Sequence, residues 1–172
     1  MDKYLKEYLE YLSVQKNYSR YTTLNYSEDI MAFINYCRKN NIDYLMVDYS
    51  QAKKYLVNLY DVEKEKATTV SRKISSIRSF YKYLASNNIC ENSSFNLLKL
   101  PKKEKKIPRY FEYNELLELF DVPNINTPLG ERNRLILELL YATGIRVSEL
   151  VNIQLDDIDY NRKIIYILGK GN

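Results

Sequence analysis

The chain has 172 residues, 45% hydrophobic and 28% charged, with a net charge of +4, 18 tyrosines, two cysteines, four glycines, and neither histidine nor tryptophan. The missing histidine excludes His-ligated metal sites, Ser-His-Asp and Cys-His catalysis and any imidazole acid or base, and with no GxGxxG or GxxxxGK[ST] pattern there is no glycine-rich phosphate loop. The charge is segregated: residues 66–109 hold eleven basic and two acidic side chains, while residues 1–65 and 110–172 net −1 and −4, and a block of that size favours an anionic partner.

In chain order, the first hundred residues read as helices. Tyr4, Leu5, Tyr8, Leu9 and Leu12 recur at helical spacing, and Asn17-Tyr18-Ser19 breaks the pattern. A second helix starts near Thr22 or Thr23, either of which could cap it. It presents Tyr26, Ile30, Phe33, Ile34 and Cys37 inward and ends at Asn40-Asn41. A third covers residues 51–60, with Tyr55, Leu56 and Leu59 as core contacts, and residues 61–66 form a charged loop. Cys37 and Cys90 make no CxxC and read as two buried free thiols in a reducing, cytoplasmic setting. The start carries no signal-peptide pattern, and no apolar run approaches the roughly 20 residues of a membrane span.

The fourth helix, residues 67–86, places Val70, Ile74, Ile77, Phe80, Tyr81 and Leu84 on one side. Arg72, Ser75, Ser76, Ser79 and Tyr83 fall opposite, with Lys73, Arg78 and Lys82 at the margins. Small hydroxyls beside cations suit close approach to a phosphate backbone, because serines donate to phosphate oxygens and short side chains let a helix enter a major groove. The alternative is a plain solvated face. Residues 99–109 then hold two prolines, one acid and six cations: Lys99, Lys102, Lys103, Lys105, Lys106 and Arg109. Proline fixes φ and removes donors, so this is an extended linker. It reads either as a solubilising hinge or as a tether along a nucleic acid. If all six cations met phosphates, log K would fall with log[salt] at a slope of roughly −5.

Past the linker comes a short helix over 114–120, a loop over 122–128, and an apolar helix over 129–143 (Leu135, Ile136, Leu139, Leu140) with Gly144 at its C′ position. A short helix follows from Val147, and Asp156-Asp157 turns the chain. Residues 158–160 and 163–168 read as a hairpin around Asn161-Arg162, an element that is marginal alone in water. The chain is therefore mainly α, with residues 1–98 helical, 99–109 a linker and 110–172 mixed α+β.

Four stretches carry a resemblance. Tyr141-Ala-Thr-Gly-Ile-Arg-Val-Ser-Glu-Leu150 resembles the first catalytic-arginine motif of the tyrosine site-specific recombinases, or phage-integrase family. Ile164-Ile-Tyr-Ile-Leu-Gly-Lys-Gly-Asn172 resembles the hairpin bearing their catalytic lysine. Residues 71–84 resemble the last long helix of their core-binding domain, and residues 100–108 their interdomain linker. The match is nearest to the Xer type. Glu91-Asn-Ser-Ser94 and Glu131-Arg-Asn-Arg134 depart from the usual Asn-Pro and Arg-Asp.

The resemblance implies a four-helix SAM-like core-binding domain followed by an incomplete α+β catalytic domain. It implies double-stranded DNA at a recombination core site as the partner, with no cofactor, no metal and no membrane. Arg146 would clamp the attacked phosphate as its charge grows, Glu149 would hold Arg146, and Lys170 would protonate the 5′-oxygen leaving group. The DNA contacts would be Arg72, Lys73, Ser75, Ser76, Ser79, Lys82 and the six linker cations. The family's His-x-x-Arg motif and its tyrosine nucleophile lie downstream of the hairpin, so no tyrosine here is assigned as nucleophile. The expectation is DNA binding without cleavage, by a chain that is monomeric without DNA, whereas full-length relatives assemble as tetramers on two sites. The alternatives are a non-catalytic module competing at recombination sites and a helical adaptor for an acidic protein.

Overall fold

Asp2 opens the first helix by accepting from the backbone N–H groups of Tyr4 (3.1 Å) and Leu5 (3.3 Å), donors that a helix start otherwise leaves without partners. The computed structural model describes residues 2–91, 93–100 and 107–169, and the chain falls into two compact units, residues 1–105 and 106–172. In the first unit α1 (Lys3–Glu10) runs into a π-helical turn (Tyr11–Gln15). Then come α2 (Arg20–Lys39), α3 (Tyr49–Asp61), α4 (Ala67–Ser86) and a 3₁₀ turn (Ser94–Leu97). Helix α2 starts earlier than Thr22 or Thr23 predicts. Its cap is Ser19, whose hydroxyl accepts from the Thr22 N–H at 3.3 Å. Helix α3 also starts earlier, at a capping box in which Asp48 and Gln51 satisfy each other's backbone N–H.

Helix α4 is the centre of this unit and packs against α1, α2, α3 and the 3₁₀ turn. Val70, Ile74, Ile77, Phe80 and Leu84 are fully buried along it. Rings fill the space between helices: Phe33 meets Tyr55 and Phe95 edge-on at 5.1 and 5.2 Å, and Tyr8 meets Phe80 at 5.2 Å. Cys37 is buried as expected, but Cys90 is only half-buried.

Arg78, predicted at the margin of α4, clamps the segment that leaves the unit. Its Nε donates to the Phe95 carbonyl (3.0 Å) and its Nη2 to the Leu98 carbonyl (2.7 Å). Hydrogen bonds from charged donors contribute about 1.5–3 kcal/mol each. Arg78→Met keeps the stem and removes both bonds; the site is half-buried, so water recovers part of their worth and the first unit is expected to lose about 2–4 kcal/mol. Urea unfolding checks this, and an unchanged midpoint would show that the clamp contributes nothing.

The second unit holds α5 (Tyr113–Asp121), α6 (Pro128–Thr143), α7 (Val147–Leu150) and a 3₁₀ turn (Leu155–Asp157). They are followed by an antiparallel hairpin, β1 (Ile158–Asp159) and β2 (Ile164–Ile165), with Ile158 opposite Ile165. Thr127 caps α6, Pro128 takes its first position, and Gly144 at φ +65° closes it, a left-handed position glycine adopts without strain. At Gly130 a Cβ would lie 1.8 Å from the Asn124 carbonyl oxygen, so the preceding loop packs directly on the first turn of α6. The strands are shorter than 158–160 and 163–168. Tyr166 donates its N–H to the Asp157 carbonyl (2.9 Å), and beyond it strand propensity has no partner edge among the described residues. No helix among the described residues is long and apolar enough to cross a membrane.

Candidate functional site

Arg72, Ser75, Ser79 and Lys82 form one stripe along α4 by helical spacing. The structure divides the predicted face. Arg72, Ser75 and Lys82 are exposed, as are Lys99 and Arg109. Ser76 is not: it is 1% exposed, and its hydroxyl donates to Asp29 Oδ2 on α2 at 2.8 Å. Ser76, expected as a DNA contact, is thus placed in the interior, because α2 packs over that turn of α4 and takes its hydroxyl. Ser79 is half-buried and accepts from the Tyr8 hydroxyl of α1 at 2.8 Å.

Lys73 faces inward as well. It is bonded to Glu65 (2.7 Å) and Glu63 (3.3 Å), with its side chain 12% exposed. Burial draws its pKa down, but the bonds to Glu65 and Glu63 outweigh that and raise it, so Lys73 is a charged latch on the loop before α4. Helical phase alone sorted Ser76 and Ser79 as outward and Lys73 at the margin. Polar groups buried between helices need hydrogen-bond partners, and Ser76, Ser79 and Lys73 have found theirs in neighbouring elements. Lys102, Lys103, Lys105, Lys106 and Lys170 lie outside the described residues.

The feature that sequence reasoning missed is Asp29. It is 2% exposed, and Arg72 Nη1 donates to the same Oδ2 that Ser76 bonds. A signal was present. Asp29 stands three residues after Tyr26 and four before Phe33, an inward position on a face otherwise apolar.

In the second unit, Gly144 reverses the chain after α6 and sets Arg146 in extended backbone as the cap of α7. Glu149, one turn on, accepts from the Arg146 N–H (2.8 Å) and from Arg146 Nη1 (2.6 Å). The carboxylate is largely covered, with 13% of the Glu149 side chain exposed against 65% for Arg146. The guanidinium is thus anchored at one nitrogen and open elsewhere. It borders a cavity of about 560 Å³ whose wall includes Asn152, Asp157, Tyr166 and Gly169. Arg134 of α6 braces this unit by donating to the Phe120 carbonyl, to Asp121 (3.0 Å) and to Glu138 (2.5 Å). Arg146 is the one cation among the described lining residues, beside the carboxylates of Glu149 and Asp157, and its planar, permanently charged fork is the group there suited to a phosphate oxygen.

Comparison with known proteins follows the same division. Residues 5–88 match the phage integrase N-terminal SAM-like domain, and residues 109–172 match the phage integrase family. Tyrosine recombinase XerC of Anoxybacillus flavithermus is 45% identical over 169 residues, covering 98% of this chain and 56% of that protein. Tyrosine recombinase XerC of Staphylococcus epidermidis is 42% identical over 172 residues, covering 100% of this chain and 58% of that protein. The chain therefore spans little more than half the length of these curated relatives. Among solved structures, the Tn1549 transposon integrase in complex with circular intermediate DNA aligns with a TM-score of 0.73 at 15% identity, over 96% of this chain and 53% of that one, a likeness of fold.

Proposed function

Because the chain belongs to the phage integrase family of tyrosine recombinases, we propose that it binds double-stranded DNA at a recombination core site and serves site-specific recombination. The observation that carries this reading is Arg146, held at its backbone and side chain by Glu149 and open toward a cavity. An arginine fixed in advance stabilises a phosphate as negative charge develops on it, without reorganising at that moment. Lys170 would supply the proton for the 5′-oxygen only in a cleavage step completed by the family's further residues, and the stripe Arg72, Ser75 and Lys82 with the linker cations holds the duplex. Ser79 keeps only its outward edge for that purpose. These 172 residues contain no histidine, so they bind DNA without cutting it.

Fluorescence anisotropy of a labelled duplex, titrated with the 172-residue chain over a series of salt concentrations, tests the reading. The expected result is a linear fall of log K with log[salt] at a slope of about −5 or steeper. A nicked suicide duplex in parallel samples is expected to give no covalent adduct. Absent or salt-independent binding would overturn the DNA reading, tight binding to polyglutamate instead would favour an acidic-protein adaptor, and an adduct would overturn the inactivity.

A further inference from the structure

We propose that Asp29 is a positioning residue for DNA binding: buried on α2, it holds the guanidinium of Arg72 in the orientation in which Arg72 meets the duplex. The inference rests on the DNA-binding reading above and deepens it.

The geometry is specific. Asp29 has 3% of its side chain exposed, whereas Arg72 has 46%. One carboxylate oxygen, Oδ2, receives both the Arg72 Nη1 donor and the Ser76 hydroxyl, the latter at 2.8 Å. Ser76 thus fixes the carboxylate from the same helix that carries Arg72, one turn along. An ionised carboxylate is strongly disfavoured in a protein interior unless paired and hydrogen-bonded. Arg72 is its only cationic partner among the described residues, so the interior ties down one end of this arginine.

A guanidinium carries five N–H donors in a rigid plane. With Nη1 turned inward on Asp29, 46% of the Arg72 side chain is still exposed, on the stripe shared with exposed Ser75 and Lys82. An unrestrained arginine gives up much side-chain freedom on binding, and a pre-ordered one has given it up already. Stability alone is a weak reason to bury such a pair, because a buried ion pair often breaks even against an apolar replacement. Orientation of an exposed donor set is a reason that applies here.

The sign of the effect makes the test sharp. Asp29 is negative, so removing its charge would by itself strengthen attraction to a polyanion. Positioning predicts the opposite. Asp29→Asn, in the 172-residue chain, is expected to weaken binding of a labelled mixed-sequence duplex about three- to tenfold, the worth of pre-ordering one long side chain, with the salt slope kept. Ser76→Ala changes no charge, leaves no exposed group altered, and is expected to weaken binding in the same direction, by about twofold. Arg72→Gln is expected to reduce the slope by about 0.9. In the Arg72→Gln background, Asp29→Asn and Ser76→Ala are expected to leave affinity unchanged or improved. Circular-dichroism melts of each variant accompany the titrations, and Ser76→Ala carries the test if Asp29→Asn does not fold. Affinity equal to or above the unmodified chain for Asp29→Asn and Ser76→Ala would overturn the proposal, as would equal losses in both backgrounds. Failure of the unmodified chain to bind any duplex would instead overturn the DNA reading on which the proposal stands.

Discussion

Raising the pH above about 10 is expected to unfold the first unit in one steep transition, with tyrosinate absorbance rising together with the loss of helical circular dichroism. Tyr8, Tyr44, Tyr55 and Tyr81 all have pKa values raised well above the ordinary tyrosine range, in each case chiefly by burial. Tyr8 donates to the Ser79 hydroxyl, and two more of these hydroxyls donate to groups that can only accept. Tyr44 donates to Asp2 at 2.8 Å and Tyr81 to the Tyr44 carbonyl, bonds a phenolate could not make. Burial pushes the Cys37 thiol up to about 12, with nearby Asp43 adding to it. In the unfolded chain tyrosine releases its proton near pH 10, whereas the folded unit retains it. Above that pH the unfolded state binds fewer protons, so stability falls as pH rises. The contribution is intact below about 10 and lost above it. Each such group removes up to about 1.4 kcal/mol per pH unit. Four together remove on the order of 5 kcal/mol per unit, against a total of roughly 5–15 kcal/mol for a domain. A gradual tyrosinate titration, with the helical signal unchanged through strong alkali, would contradict this account of the tyrosines.

That dependence arises from where the tyrosines lie, and only part of it was legible beforehand. The periodicity of α4 predicts residues 67–86, and the helix spans Ala67–Ser86, because a long apolar stripe bounded by polar residues leaves little choice of phase. Gly144 was equally legible, since a left-handed residue after an apolar helix is a local property of the backbone. The start of α2 was not. Ser19, Thr22 and Thr23 are all chemically fit to cap, and the choice depends on the turn that brings the chain out of α1.

The candidate site divides in the same way. Arg146 and Glu149 sit three residues apart in one cap, so their pairing follows from local geometry. Ser76 and Asp29 are 47 residues apart, and their bond exists because α2 and α4 pack together. A helical wheel assigns polar residues outward by default, which fails for a helix surrounded on several sides. Ser76, sorted outward, is buried, and Lys73, sorted to the margin, turns inward to Glu63 and Glu65. The hairpin departs for the converse reason. Residues 163–168 have the composition of a strand, yet strand length is set by the partner edge, and β1 offers only Ile158 and Asp159.

Replacing Lys99, Lys102, Lys103, Lys105, Lys106 and Arg109 together with glutamine is expected to weaken duplex binding on the order of 10⁴–10⁵-fold at about 0.1 M salt. Each cation that neutralises a phosphate releases about 0.9 of a condensed counterion, so six account for about five units of slope. The part of the affinity that survives near 1 M salt owes nothing to counterions, and each unit of slope adds about tenfold for every tenfold dilution of salt below it. Arg109 contributes less than its full share, because it already bonds Glu115 at 2.8 Å and must leave that carboxylate to meet DNA. The exchange is feasible, since its side chain is 87% exposed and surface pairs of this kind contribute at most about 1 kcal/mol. The lower figure of 10⁴ allows for it. Phosphates carry no sequence information, so the loss is expected to be the same for every duplex sequence. Arg72→Gln is expected to remove less than one unit of slope and, if α4 enters the groove, to change the ranking among sequences. Anisotropy titrations against two unrelated duplexes separate these effects. If the six-fold variant kept the full slope, residues 99–109 would not lie on the phosphate backbone, and their charge would have to serve a different anionic surface.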